Sequence, residues 1–301
     1  MTTILDRIGN TSLLPLRNIA SNVLLKIESE NPTGSMKDRM ALAMIEAAEA
    51  DGRLEPGGAV VEYTAGSTGV ALALVCGVKR HPLYIVSSDA FAQEKLLHMR
   101  ILGATLQILH SDSGGMSEKL TRDMIAAAQE IAAKNGAYLT DQMKNTDAIP
   151  AYYKMANEIW SQTDGRIDVF IQAVGTGGSI RGNSERLRQL NPKIKVVAVE
   201  PAESPVLSGG KSGSHKIDGI GAGYVVPMWN DRIADQIERV STEEARNMAL
   251  RLAREEGLFA GTSTGANVVA ASRVASQMPR STIVTIMVDT GMKYLKNYAE
   301  K

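Results

Sequence analysis

The sequence predicts an α/β protein with mainly parallel sheets flanked by helices. From Lys37 to Asn145, and again from Ile149 to Asp289, short β-branched apolar runs alternate with longer segments of helical period. Three of the strand-to-helix passages are glycine- and hydroxyl-rich turns. Such alternation implies parallel pairing, because a strand followed by a helix returns to the same sheet in the same direction. With 301 residues, 44% hydrophobic and 22% charged, the chain has the length for one large or two smaller cores. That balance excludes a disordered chain. No apolar run approaches the roughly 20 residues needed to cross a bilayer. Lys plus Arg and Asp plus Glu are 33 each, so there is no net field to draw in nucleic acid or an anionic membrane, and small-molecule partners are expected. The single cysteine, Cys76, lies inside Val70-Ala71-Leu72-Ala73-Leu74-Val75 and reads as a small core hydrophobe. With no secretory leader in the opening residues, a cytoplasmic protein is expected. No metal site is expected.

In chain order, Val23 to Glu28 is a β-rich run. It leads into Asn31-Pro32-Thr33-Gly34-Ser35-Met36-Lys37-Asp38-Arg39, where Pro32 and Gly34 break the strand. Ser35 and Asp38 form a capping-box pattern ahead of a helix over 36–50. Strand 59–63, a turn, helix 69–79, strand 83–87, helix 91–102 and strand 104–109 follow. Apolar residues at 116, 120, 124, 127, 128 and 131 make a helical stripe over 116–134. The second half repeats the pattern with helix 149–161, strand 168–174, helix 179–189, strand 194–199, helices 241–256 and 265–277, and strand 282–289. Between them Ser204 to Asn230 has no period and is rich in Gly, Ser and Lys, which predicts a long functional loop.

Lys37 falls in the first turn of its helix. The positive end of a helix disfavours an ammonium and eases proton loss, which suits a Schiff-base lysine; a solvated surface lysine is the plainer reading. Gly175-Thr176-Gly177-Gly178-Ser179 follows the apolar strand ending at Val174 and opens a helix. Its glycines let backbone N–H groups point inward, and Thr176 and Ser179 add hydroxyls, the pattern of a phosphate cradle. A dinucleotide site would need Gly where Ile180 stands, although Glu200, closing the strand Val196 to Val199, mimics a ribose-binding acid. Thr64-Ala65-Gly66-Ser67-Thr68-Gly69 is a second anion-suited turn, or a plain tight turn. Gly261-Thr262-Ser263-Thr264-Gly265 is an uncharged hydroxyl cluster.

A lysine, a phosphate cradle, an anion turn and a neutral hydroxyl turn are what a pyridoxal 5'-phosphate enzyme needs. Over nearly its whole length the chain resembles the cysteine synthase (O-acetylserine sulfhydrylase) and cystathionine β-synthase family, fold-type-II pyridoxal phosphate enzymes with a tryptophan synthase β-like architecture. The resemblance implies that Lys37 holds the cofactor and acts as catalytic base. It implies that Gly175, Thr176, Gly177, Gly178 and Ser179 bind its phosphate, Ser263 its pyridine nitrogen and Ser67 its phenolic oxygen. Thr64, Ala65, Gly66, Thr68, Gln142 and Gly219 would bind substrate, with 208–223 as a closing loop. It further implies a large domain of residues 1–36 with 146–301, a small mobile domain of 37–145, a homodimer, and an active site able to take a serine acetyltransferase tail. The expected reaction is β-replacement on O-acetylserine by sulfide or another thiol. The alternatives are a cystathionine β-synthase-like or β-eliminating enzyme on serine, cysteine or another amino acid, a non-catalytic cofactor-binding regulator, and a dinucleotide-dependent enzyme. The chain departs from the family at Ala65 and Ser67, where serine and asparagine are usual, and at Ser12, where proline is usual. It also lacks the Thr-Gly-Pro lead ahead of Glu158-Ile159-Trp160.

Overall fold

The computed structural model describes residues 2–112 and 118–299, so Met116, expected in a helical stripe, lies outside the described residues. The chain divides into two units. One comprises Met1–Ile8, Lys37–Ala148 and Lys293–Lys301, the other Gly9–Met36 and Ile149–Met292. One boundary falls at Met36/Lys37. The other falls at Ala148/Ile149, and both chain ends group with the smaller unit.

The first unit holds α1 (Lys37–Ala50), β3 (Val60–Tyr63), α2 (Ser67–Lys79), β4 (Leu83–Ser88), α3 (Gln93–Ile101), β5 (Thr105–Leu109), α4 (Glu118–Asn135), β6 (Tyr138–Leu139) and α9 (Leu295–Ala299). Its sheet runs β5-β4-β3-β6 with every pairing parallel. Val61, Tyr63 and Val86 pack with Leu120, Met124 and Ala128 of α4 on one side of the sheet. Cys76 is fully buried in α2, and burial pushes its thiol up to about 12, as befits a core hydrophobe.

The second unit holds β1 (Leu13–Leu16), β2 (Ala20–Ile27), α5 (Ile149–Gln162), β7 (Val169–Ala173), α6 (Gly178–Leu190), β8 (Lys195–Pro201), β9 (Gln236–Val240), α7 (Thr242–Arg251), α8 (Thr262–Gln277) and β10 (Ile283–Met287). Its sheet order is β1-β2-β10-β7-β8-β9, parallel except for the β1–β2 pair. β7 and β10 are buried at every position, as an interior strand covered on both faces must be. α8 is buried along most of its length and packs on α7. Residues 204–230 form turns without helix or strand.

Three strands escape a reading by period. β1 contains Pro15 and sits at the sheet edge, the place where proline is tolerated; β9, also an edge, is half polar; β6 is two residues long. The expected helix over 241–256 is α7, capped by a Ser241–Glu244 capping box, and it passes into a π-helical turn at Leu252–Glu256. α1 begins at Lys37, and Ser35, two residues before it, forms an antiparallel bridge with Asp289.

Candidate active site

The second unit holds two of the three expected turns, and the one at Gly261–Gly265 follows the π-helical turn Leu252–Glu256 rather than a strand. After β7 the chain makes the Gly175–Ser179 turn and enters α6. Gly177, at φ +88°, is the N-cap, and no side chain caps it. The first-turn N–H groups of α6 are thus left for an anion, apart from a long 3.4 Å bond from Gly178 N to Thr176 Oγ1. A Cβ on Gly175 would lie 2.4 Å from the carbonyl oxygen of Gly219. The Gly219 segment of the loop therefore rests directly on the turn, and Gly221 N donates to Val174 O at 3.0 Å. The Ser179 hydroxyl points inward and accepts from Gln172 Nε2 at 2.6 Å.

The hydroxyl cluster at the start of α8 sorts itself. Thr262 Oγ1 accepts from Asp218 N at 3.2 Å and Thr264 Oγ1 from Val288 N at 3.0 Å, so both hold backbone in place. Ser263, only 1% exposed, is the member whose hydroxyl carries no hydrogen bond among the described residues. An uncapped glycine turn and an unspent buried hydroxyl fit the phosphate and ring nitrogen of pyridoxal phosphate.

Glu200 is spent elsewhere. Its carboxylate accepts from Leu207 N at 2.8 Å, from Ser208 N at 3.2 Å and from the Ser208 hydroxyl. It anchors the start of the long loop and has no role as a ribose acid, which removes the main support for the dinucleotide reading.

The residues before Lys37 are fixed within the second unit: Met36 N donates to Val288 O at 2.9 Å and Thr290 N to Gly34 O at 2.9 Å. Lys37 is then the first residue of α1, half-buried and followed by buried Asp38 and Arg39.

In the first unit, Thr64 N donates to Val86 O and Gly66 N to Thr64 Oγ1, folding the turn back at the end of β3. Gly66 has φ 153° and ψ −83°, open only to glycine, and Lys95 lies across it, 2.2 Å from where a Cβ would stand. The ammonium of Lys95 sits 4.1 Å above the Tyr294 ring. Thr68 and Gln142, 74 positions apart, meet: Thr68 Oγ1 donates to Gln142 Oε1 at 2.7 Å. Ser67 opens α2, half-buried, and the Ala65 methyl is exposed.

One residue of this unit escaped sequence reasoning. Glu62, beside Thr64 on β3, is fully buried, and burial raises its carboxyl from 4.5 to about 7. Its only signal was an acid inside the apolar run 59–63.

The chain matches the pyridoxal-phosphate dependent enzyme family over residues 4–289 and belongs to it. It is therefore an enzyme of the fold-type-II architecture whose cofactor is pyridoxal phosphate. A cysteine synthase of Staphylococcus aureus (strain Mu50 / ATCC 700699) is 38% identical over 296 residues, 96% of this chain and 93% of that one. Among solved structures, O-acetylserine sulfhydrylase isoform 3 from Entamoeba histolytica superposes with a TM-score of 0.92 at 36% identity, covering 98% of this chain and 90% of the other. A hydrogen sulfide-producing enzyme from Fusobacterium nucleatum gives a TM-score of 0.91 at 34% identity, covering 98% and 99%. Among the described residues no helix is long and apolar enough to cross a membrane.

Proposed function

We propose that the chain catalyses β-replacement on O-acetylserine, with sulfide as the incoming nucleophile, giving cysteine and acetate. The observation that carries this reading is the division of labour at α8, where Thr262 and Thr264 are occupied with backbone and Ser263 offers a neutral hydroxyl. Facing a pyridine nitrogen, a hydroxyl does not hold it protonated as a carboxylate would, which favours elimination and replacement at the β-carbon over transamination. When bound, the cofactor supplies the sink for the electron pair left at the substrate α-carbon.

The chain's residues supply the rest. The Gly175–Ser179 turn and the N-terminus of α6 hold the phosphate. Thr64, Gly66, Thr68 and Gln142 bind the substrate carboxylate, and Ser67 the cofactor's phenolic oxygen. Lys37 holds the cofactor at rest, takes the α-proton as acetate leaves the β-carbon, and returns it once sulfide has added there. Gly219 and its neighbours close over the turn on which they rest. A homodimer, docking of a serine acetyltransferase tail and a cytoplasmic location belong to the same reading, supported by the family resemblance and, for location, by the single buried thiol.

A second reading is favoured by the turn at the end of β3. The exposed Ala65 methyl offers no hydrogen bond and Ser67 reaches less far than asparagine, leaving room for a bulkier thiol or a different amino acid. The Fusobacterium relative, by its description, produces hydrogen sulfide. Purified protein given O-acetylserine and sulfide should release cysteine and acetate. Release of sulfide from cysteine, or cystathionine formation from homocysteine, with no turnover of O-acetylserine would replace the first reading by the second.

A further inference from the structure

We propose that Glu62 is a positioning residue for the substrate-carboxylate side of the site, fixing the backbone of Gln142 and, through the Gln142 side chain, the hydroxyl of Thr68. This rests on the assignment of Thr68 and Gln142 to the substrate carboxylate.

Glu62 is 0% exposed, and each of its oxygens is used. Oε1 accepts from Tyr63 N at 2.8 Å. Oε2 accepts from Thr140 Oγ1 at 2.6 Å and from Gln142 N at 3.0 Å. Thr140 and Gln142 lie just past β6 and Glu62 sits on the neighbouring β3, so one carboxylate ties together the ends of two adjacent strands. Gln142 passes the constraint on: its Nε2 donates to Tyr63 O at 3.4 Å and its Oε1 accepts from Thr68 Oγ1. The result is a continuous path of hydrogen bonds from β3 to the first turn of α2. Burying a carboxylate is unfavourable unless its oxygens are fully engaged, and here one of the engaging groups is the backbone N–H of Gln142, whose side chain reaches Thr68.

The same geometry makes the arrangement depend on one proton. Burial raises the Glu62 carboxyl to about 7; the bonds from Thr140, Gln142 and Tyr63 work against that rise and the charge of Asp141 adds to it. Asp141 itself accepts from the Tyr63 hydroxyl at 3.0 Å and lies 3.8 Å from Lys144 Nζ. When Glu62 is charged, Thr140 donates to it. When Glu62 takes a proton, Thr140 can turn, since its Oγ1 is also 3.3 Å from Val61 O: it then accepts from the carboxyl O–H and donates to that carbonyl. Tyr63 N keeps its acceptor. Gln142 N alone is left facing a hydroxyl oxygen, a weaker acceptor. Proton uptake thus loosens the substrate-binding glutamine selectively, and amino acids bind more tightly as pH rises through about 7.

The test uses the holoenzyme and L-alanine, which carries the carboxylate but no leaving group, so its outcome is independent of which substrate is turned over. Its Kd is read from the change in visible absorbance across pH 6 to 8, a window about one unit either side of the expected inflection. Gln142→Ala should raise Kd about tenfold, the size expected for one lost hydrogen bond to a charged group. Glu62→Gln, which presents an amide where Gln142 needs an acceptor, should raise it by a similar factor and abolish the inflection near 7. Thr140→Val removes a bond that favours the charged form, so the inflection should move upward, together with the infrared carbonyl band of the protonated acid. A raised Kd in Gln142→Ala with an unchanged profile in Glu62→Gln would overturn the inference and leave the assignment of Gln142 standing. An unchanged Kd in Gln142→Ala would overturn both. Should Glu62→Gln not fold, an inflection unmoved by Thr140→Val is refutation enough.

Discussion

A methyl group added at Gly175 has no room. Its carbon would stand 2.4 Å from the carbonyl oxygen of Gly219, and the obstacle is backbone, which cannot swing aside as a side-chain tip can. An ordinary carbon–oxygen contact is about 3.3 Å, so Gly175→Ala must push the turn and the Gly219 segment apart by about 1 Å. The segment is held by Gly221 N to Val174 O and Asp218 N to Thr262 Oγ1, and the displacement strains both bonds. Overpacking costs about 1–3 kcal/mol and each loosened hydrogen bond about 0.5–1.5 kcal/mol. The strained bonds lower the melting temperature of the apoprotein, while the overpacking of the turn alone, at about 1.4 kcal/mol per tenfold, lowers cofactor affinity by roughly fivefold to 150-fold. Titration of apoprotein with pyridoxal phosphate, followed by visible absorbance, measures this directly, with the melting temperature of the apoprotein alongside. Gly77→Ala is the control: in the interior of α2 its methyl would meet Leu102 O at an ordinary 3.5 Å, so it should stabilise by about 0.5–1 kcal/mol and leave cofactor affinity unchanged. If Gly175→Ala binds cofactor within about twofold of wild type, a margin of about 0.4 kcal/mol, the turn does not cradle the phosphate.

Four further outcomes are expected. Lys37→Ala should lose both the visible band and turnover, and borohydride reduction of the wild-type holoenzyme should tag Lys37; a tag on another lysine refutes its role. Ser263→Asp should protonate the ring nitrogen and slow β-replacement, seen by rapid-scan absorbance, whereas an unchanged rate would show that Ser263 does not face that nitrogen. Ala65→Ser with Ser67→Asn should lower the KM for O-acetylserine at least several-fold, since one recovered hydrogen bond to a charged group is worth about 1.5–3 kcal/mol, and a loss of activity on that substrate would mean the turn is built for another. Glu62 holds a proton in the folded state between 4.5 and about 7 that the unfolded chain releases. Stability relative to Glu62→Gln should therefore fall by about 3 kcal/mol as pH rises through that window and level off above it, as urea unfolding at stepped pH would show.

The fold was legible wherever burial imposed a period. β7 and β10 are buried on both faces and their apolar runs announce them; β1 and β9 lie at sheet edges, where half the positions face water and the pattern dissolves. The site was legible where chemistry demands a rare residue, as with the glycines of the Gly175–Ser179 turn. It was not legible where function depends on which of several equal side chains is already occupied. Nothing in Thr262-Ser263-Thr264 says that the outer two hydroxyls are bound to backbone, and nothing near Glu200 says that its carboxylate is taken by a loop seven residues on. Glu62 was missed for the same reason, since an acid in a short strand looks solvent-facing until the neighbouring strand is placed beside it.

The burial of Cys76 bears on what this protein can survive making. A catalyst that consumes sulfide and releases a thiol amino acid works among thiols whose oxidised forms, disulfides and polysulfides, exchange with a protein thiolate and release a thiolate of their own. With its thiol pushed up to about 12, Cys76 exposes roughly one thiolate in 10⁵ molecules at neutral pH, and the packed α2 shields even that. The chain has no other sulfhydryl open to such exchange. A cysteine introduced at Ala65 or Gly219, both exposed, would then be the sole reactive thiol of the molecule, and its labelling rate would report directly on access to the turn that carries it.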